Sequence, residues 1–496
     1  MQNQLLKQPS IPNQMILVFG LGLLLGITSI WLPPYFLLIG IAGIVYLVVA
    51  WLWPEIAILG ILLFTSTIFD IYAYPSIPIG VGNLIISDIL LFALLGIVLL
   101  HVLIKSSSYL IHTPVDRPLL AFYITAILAT AIGIFNSSVT FNQSLGEVRT
   151  INFYLIFFIV TNLIRNEKQL RRLLAGIFLL ATLVAMAMIA QYILGDSVSI
   201  LPGRVETLNT AGVNSYGTTR ILPPGQALVL IAFISLTVLM IQNRTSPRFI
   251  VSLIQLGIIG LSVILTFNRS FWIASILALF IVGFLVSIRD KIKYVQTIFW
   301  AVLIGAVFFA PILILNGKQV GTLINGMSTR FSTLFNPDTA QEDSLVYRYV
   351  ENEYVYSQIV SHPLFGLGLG ANYRPWDSRI DYGSFTTRLT YYIHNGHFWV
   401  MVKTGLVGYL FFMWFFLLFL KRALQNWKQI SDPFLKGIVL SFAAAIVGVL
   451  IASIVNPIIR ASYWAPVIGI MLSIGEIILR MNNNQFTDSQ ILEELS

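Results

Sequence analysis

Polar positions along this chain are few and grouped, and between the groups lie apolar runs close to the roughly 20 residues that cross a bilayer as a helix. The runs fall at 15–31, 35–53, 56–72, 84–104, 118–135, 151–164, 173–194, 223–242, 249–267, 271–288, 297–315, 397–420, 434–455 and 459–479. Some are short, and one pair could turn back inside the membrane. The pattern therefore predicts an all-α polytopic membrane bundle of about 12–14 transmembrane helices. The first run lacks a small-x-small cleavage site and leads through Trp31-Leu32-Pro33-Pro34 into another span, so it reads as a helix of the bundle rather than a signal peptide. The expected organisation is N-terminal spans over 1–222 with a loop at 195–222, central spans over 223–315, a large loop at 316–396, C-terminal spans over 397–480 and a polar tail at 481–496.

Composition narrows the class further. Of 496 residues, 57% are hydrophobic and 10% charged, with mean hydropathy +0.85. A soluble domain carries about 25% charged residues, so a soluble enzyme and a disordered chain are both excluded. There is no cysteine, hence no disulfide, thiolate metal site or cysteine nucleophile.

Lysine and arginine in short loops set the orientation. Arg165, Lys168, Arg171 and Arg172 form one cluster, Arg244 and Arg248 a second, Arg289, Lys291 and Lys293 a third, and Lys421, Arg422, Lys428 and Lys436 a fourth. These clusters lie on alternate loops, which makes that side cytoplasmic and places both termini there. The opposite side holds 136–150, 195–222, the turn Asn268-Arg269-Ser270 and 316–396.

Net charge is +8, and its distribution is uneven. The cytoplasmic side carries nine arginines and eight lysines; the outer side carries ten arginines (149, 204, 220, 269, 330, 348, 374, 379, 388 and 460) and a single lysine, Lys318. Arginine offers a planar fork that grips phosphate or carboxylate through two hydrogen bonds. An outer set of this kind points to an anionic ligand, against the alternative that these arginines pair with outer acids such as Glu147, Glu206, Glu351, Glu353 and Asp377. About half are expected to be such structural pairs. Arg269 stands out because its turn is very short, between two apolar runs; the alternative for it is snorkelling to headgroups. Arg220 stands out in Thr218-Thr219-Arg220-Ile221-Leu222-Pro223-Pro224-Gly225, where Pro-Pro is expected to open the next helix and hold Arg220 at its entrance.

Within 316–396, residues 344–360 predict an amphipathic helix with an apolar stripe of Leu345, Tyr349, Tyr356, Ile359 and Val360 and a polar stripe of Ser344, Arg348, Glu351 and Asn352. Gly366-Leu367-Gly368-Leu369-Gly370 follows as a flexible glycine turn, without the Gly-Lys-Ser/Thr of a phosphate loop. Aromatics are dense beyond it, as interface anchors or as stacking surfaces for sugar rings. His394-Asn395-Gly396-His397 closes the loop where it re-enters the membrane, and a histidine there is a candidate general base. Two histidines three apart, with no His-Glu-x-x-His and no carboxylate cluster, predict no metal site.

These residues carry a resemblance. His394-Asn395, nine further residues, then Gly405-Leu406-Val407-Gly408 has the spacing of the His-[Asn/Ser/Gln]…Gly-x-x-Gly signature of the O-antigen ligase and polymerase superfamily of bacterial envelope glycosyltransferases. SHPLFGLGLG (361–370) is similar to its Pro-Leu-x-Gly-x-Gly stretch, and TFNRSFW (266–272) to its Ser-Arg segment, with Asn268 in place of Ser. Arg220 stands at a position like the family's other essential arginine. The likeness is firm from about 260 to 420 and weak over the first 200 residues. It implies a multi-pass enzyme of the bacterial inner membrane whose site faces the periplasm or exterior. Such an enzyme moves a glycan from an undecaprenyl-diphosphate carrier to an acceptor hydroxyl on a glycan or lipid-linked acceptor, without cofactor, metal or nucleic acid. His394 would then be the base, and Arg269 and Arg220 the diphosphate clamp. Arg348, Arg374, Arg204 and Asn395 would be further substrate contacts. The competing expectation is a transporter or flippase for anionic glycolipids.

Overall fold

The apolar runs fold as helices that satisfy their own backbone groups, as a lipid-exposed segment must. The computed structural model describes residues 34–494 except 70–73, 75, 79–82, 106–109, 196–199, 202–204, 211–212, 243–248, 294, 297, 301–302, 304–306, 308–316, 333–342 and 381–388. The candidate span 15–31, most of 297–315 and the candidate contact Arg204 lie outside the described residues.

In chain order the helices are α1 (Pro34–Leu52), α2 (Pro54–Thr65), α3 (Ile86–Lys105), α4 (Asp116–Phe135), α5 (Phe141–Asn152), α6 (Ile156–Leu163), α7 (Glu167–Leu194), α8 (Gln226–Gln242), α9 (Phe249–Leu265), α10 (Arg269–Leu285), α11 (Gly317–Ser332), α12 (Asp343–Ser361), α13 (Gly396–Asn426), α14 (Pro433–Ala452) and α15 (Ala465–Glu494). Among the described residues, seven helical stretches are long and apolar enough to cross a membrane and five shorter apolar helices join them. The protein is an all-α, multi-pass membrane bundle.

Among the described residues, strand is confined to two hairpins, β1 (Ile77–Pro78) with β2 (Asn83–Leu84) and β3 (Val205–Thr210) with β4 (Val213–Ile221).

Three expectations change. The stretch 136–150 is not simply a loop: Thr140 and Gln143 form a reciprocal capping box, with Gln143 Oε1 accepting from the Thr140 amide at 2.9 Å, so helix begins at Phe141. The loop 195–222 contains the β3–β4 hairpin, in which Arg220 lies opposite Glu206. Pro223-Pro224 does not open α8; the helix starts at Gln226, after a turn in which the Gly225 amide donates to the Thr67 carbonyl at 2.7 Å.

The bundle has two chemically different ends. At one, Arg171 meets Asp432 at 2.7 Å, Arg172 meets Glu55 at 3.1 Å and Arg422 meets Glu476 at 3.0 Å. Helix α14 begins there, after Asp432, and delivers Ser453 to the opposite end. Three charges inside the apolar runs are paired: Asp88 with Arg149 at 2.9 Å, Lys403 with Glu147 at 3.2 Å and Glu476 with Arg422 at 3.0 Å.

Helix α13 is broken at Gly405, whose φ is +69°. A continuous helix would bond Leu406 N–H to Val402 C=O and Val407 N–H to Lys403 C=O. Instead Leu406 donates to Pro363 at 2.8 Å and Val407 to Leu364 at 3.3 Å, while Leu367 donates to Val402 at 2.8 Å and Gly368 to Lys403 at 3.1 Å. Segment 363–368 thus satisfies all four groups released by the break. A Cβ on Gly405 would overlap the Leu364 carbonyl, and one on Gly366 the Val402 carbonyl. The glycine turn expected to be flexible is therefore clamped in the bundle, with Leu367, Leu369 and Ala371 buried.

Candidate functional site

Helix α12 turns Glu351 of its polar stripe into the bundle. Val350, Glu351 and Val355 are buried, whereas Tyr349, Tyr356 and Val360 of the expected inner stripe are 60%, 55% and 79% exposed. The reason lies at Glu351. Both its carboxylate oxygens stand 2.9 Å from His394 Nδ1, and Oε2 also accepts from the His394 amide at 3.3 Å. An ionised carboxylate only accepts, so the imidazole proton belongs on Nδ1 and the Nε2 lone pair is left available. Nε2 makes no hydrogen bond among the described residues, and the ring keeps 19% of its surface exposed. Tyr392 meets the ring edge-on, with centroids 4.9 Å apart.

His397 differs. Its Nε2 lies 2.8 Å from the Leu450 carbonyl and its Nδ1 3.3 Å from the Tyr409 hydroxyl, so both nitrogens are engaged. Among the described residues no His/Cys/Asp/Glu group has a metal-binding arrangement.

The segment 453–464, between α14 and α15, gathers the other candidates. It is longer than the apolar pattern predicted, because α15 starts at Ala465 rather than 459. The Gly396 amide donates to Ser453 C=O at 2.8 Å, which fixes the end of the His394 turn. Arg348 Nε donates to Val455 C=O at 3.2 Å. Asn456 Nδ2 donates to Ser270 Oγ, next to Arg269 at the start of α10. Gln226 Nε2 donates to the Tyr463 hydroxyl at 3.1 Å, which anchors the α8 entrance six residues after Arg220. Arg348 and the chain neighbours of His394 and Arg269, Gly396 and Ser270, thus meet residues 453–456, and Arg220 stands on β4 a short way upstream of the Gln226 anchor.

Asn268 caps α10, its side-chain oxygen accepting from Ser270 N at 3.2 Å, and this seats Arg269 in the first turn. Asn395 caps α13 in the same way, accepting from Phe398 N at 3.1 Å. The Asn395 side-chain oxygen is thus engaged by the backbone. Asn395→Ala should lower stability by about 1 kcal/mol, and Asn395→Asp should restore it; thermal unfolding in detergent measures both. Arg374 is buried, donating to the Pro375 carbonyl at 3.1 Å beside the Tyr373 ring.

Arg379 is a structural pair on the surface, 2.8 Å from Asp377 and 3.1 Å from Glu353. Its guanidinium holds the Asp377 carboxyl well below the usual carboxylate range.

Two participants were missed from sequence. Glu351 lies on the predicted polar stripe and among the outer acids expected to pair with arginine, and nothing in a separation of 43 residues links it to His394. Segment 453–464 gave no signal beyond Arg460.

The arrangement defines a multi-pass helical membrane protein with a carboxylate-oriented histidine and arginines gathered at one end. Residues 254–413 match the family described as O-antigen ligase. That stretch is about a third of the chain and contains Arg269, the 363–370 clamp, Glu351, His394 and Gly405. The match supports the O-antigen ligase and polymerase superfamily, and with it a ligase- or polymerase-like membrane glycosyltransferase in general. No curated protein matches the chain.

Proposed function

We propose that this protein transfers a glycan from an undecaprenyl-diphosphate carrier to an acceptor hydroxyl, at the face of the bacterial inner membrane opposite the cytoplasm. The observation that carries this reading is the His394–Glu351 pair. The acceptor O–H gives its proton to His394 Nε2 as its oxygen bonds to the anomeric carbon. The bond from that carbon to the carrier diphosphate breaks, and the leaving diphosphate takes the electron pair. Glu351 holds Nδ1–H and offsets the imidazolium charge that forms.

Diphosphate is a competent leaving group once its charge is stabilised. Arg269 and Arg220 are the proposed clamp, and Arg348 stands close enough to the His394 turn to assist. Arg204 remains a further candidate by sequence alone. Arg374 and Asn395 act on the site through structure. Sidedness rests on the basic loops: Arg171, Arg172 and Arg422 collect at the end opposite His394. The pairing of Asp88, Lys403 and Glu476 favours transfer over transport, since a transporter draws on ionisable groups free to exchange ions at depth.

The test is reconstitution of the pure protein with undecaprenyl-diphosphate glycan and candidate glycan or lipid-linked acceptors, with and without EDTA. Transfer should persist in EDTA. Arg269→Ala should cut it by about 3–4 kcal/mol of transition-state stabilisation, or roughly 10²–10³-fold. Movement of the lipid-linked glycan across the bilayer with no transfer product would replace this reading with the flippase one.

A further inference from the structure

A cavity of ≈ 680 Å³ is lined in part by Tyr392, whose ring meets that of His394 edge-on with centroids 4.9 Å apart. Its size lies within the roughly 300–1,000 Å³ of small-ligand sites. The floor carries one unusual cation. Arg460 lies over the Tyr392 ring at 4.2 Å and over the Trp399 ring at 5.9 Å, so its plane is held by two aromatic faces. Its Nε is buried without a hydrogen-bond partner.

Glu147, the only acid among the described lining residues, does not neutralise Arg460. Its oxygens accept from Trp399 Nε1 at 2.9 Å and from the Gly370 amide, and Lys403 Nζ stands at 3.2 Å; Arg460 is more distant at 3.9 Å. Lys403 is the nearer cation to Glu147 and is fully buried, whereas Arg460, the more distant one, lines the cavity and is the cation that an entering ligand meets.

The rest of the lining is neutral and suits a polyhydroxylated ring. Amides come from Asn142, Gln143 and Asn372, and hydroxyls from Thr150, Thr390 and Ser462. Tyr391 adds an aromatic ring to the lining that suits C–H stacking. We infer that this cavity is a subsite for an acidic oligosaccharide, in which Arg460 holds a sugar carboxylate next to the His394 centre. The inference rests on the glycosyl-transfer reading and adds the class of glycan. A carrier diphosphate would bring the same oxyanion chemistry from another source, so the test separates the two.

Binding is measured on the purified full chain in nanodiscs of neutral lipid, with a glucuronate-containing tetrasaccharide, its carboxyl-reduced counterpart and inorganic pyrophosphate as probes. The acidic tetrasaccharide should bind about tenfold or more tighter than the reduced one, the scale of one charge-assisted contact. Arg460→Gln should abolish that preference and leave the reduced form bound as before. Ser462→Trp narrows the cavity without touching the Arg460–Glu147 contact, and should weaken both sugars.

Equal binding of the two sugars by the wild type would overturn the inference, as would binding untouched by Ser462→Trp. Loss of pyrophosphate binding in Arg460→Gln with the sugar preference retained would reassign Arg460 to the diphosphate and also overturn it. These assays need neither carrier nor turnover. Failure here with transfer intact removes the subsite alone; sugar binding without any transfer removes the glycosyl-transfer reading.

Discussion

Glycan transfer by His394→Ala should fall by about 10²–10⁴-fold, the usual contribution of a positioned general base. Glu351→Gln should fall by about 10²-fold, near the lower end of that range, because the amide can still accept from Nδ1–H but no longer offsets the imidazolium charge. Single-turnover transfer assays on inserted, folded variants measure both losses. A positioning role for Glu351 demands that kcat carry the loss while the acceptor KM and the unfolding temperature stay near wild type. A carboxylate that only fastened α12 to the His394 turn would instead lower the unfolding temperature and leave kcat of the folded fraction unchanged. Full transfer by His394→Ala would remove the base assignment.

Gly405→Ala should be among the most destabilising single substitutions in the chain. An alanine at φ +69° and ψ −177°, a region essentially restricted to glycine, costs about 1–3 kcal/mol in backbone conformation alone. Its Cβ also meets the Leu364 carbonyl, and relief requires segment 363–368 to withdraw. Withdrawal exposes up to four backbone hydrogen bonds at membrane depth, each worth about 1 kcal/mol and more where no water can replace it. The expected outcome is a loss of about 3–6 kcal/mol, seen as poor recovery of monodisperse protein and a lowered unfolding temperature. Gly408→Ala is the comparison. Its Cβ would press on the Thr404 side chain, which can rotate, and Gly408 lies in regular helix, so the loss should be smaller. Comparable stability of Gly405→Ala and wild type would show that the clamp does not need glycine there.

The second expectation changes what the sequence signature means. Its histidine reads as chemistry and its first glycine as architecture. Gly405 packs against the Leu364 carbonyl and lets a helix break so that residues 363–368 can be held inside the bundle. The run around Gly366 and Gly368 belongs to the same device, which explains why two stretches some forty residues apart both carry glycine.

Most helices were legible because lipid makes hydropathy a direct report of burial: a run such as 434–455 has no alternative to helix. Errors came where that report is weak. Helix α5 contains Glu147 and Arg149, and its polarity read as loop, although both side chains find partners inside the fold. Arg220 was placed at a helix entrance because Pro-Pro suits a first turn, but the chain there completes a strand opposite Glu206.

By itself, then, the sequence determined the class of protein, its basic clusters, and the histidine and arginines from which the proposed site is drawn. Those properties follow from side-chain chemistry and from periodicity along the chain. Only the tertiary structure decided that Glu351 meets His394, that Arg348 and the neighbour of Arg269 meet at residues 453–456, and that Arg460 stands over Tyr392 beside a cavity. Each of these joins residues tens to hundreds of positions apart. Such pairings depend on how neighbouring helices pack and where their ends fall, which local patterning does not encode.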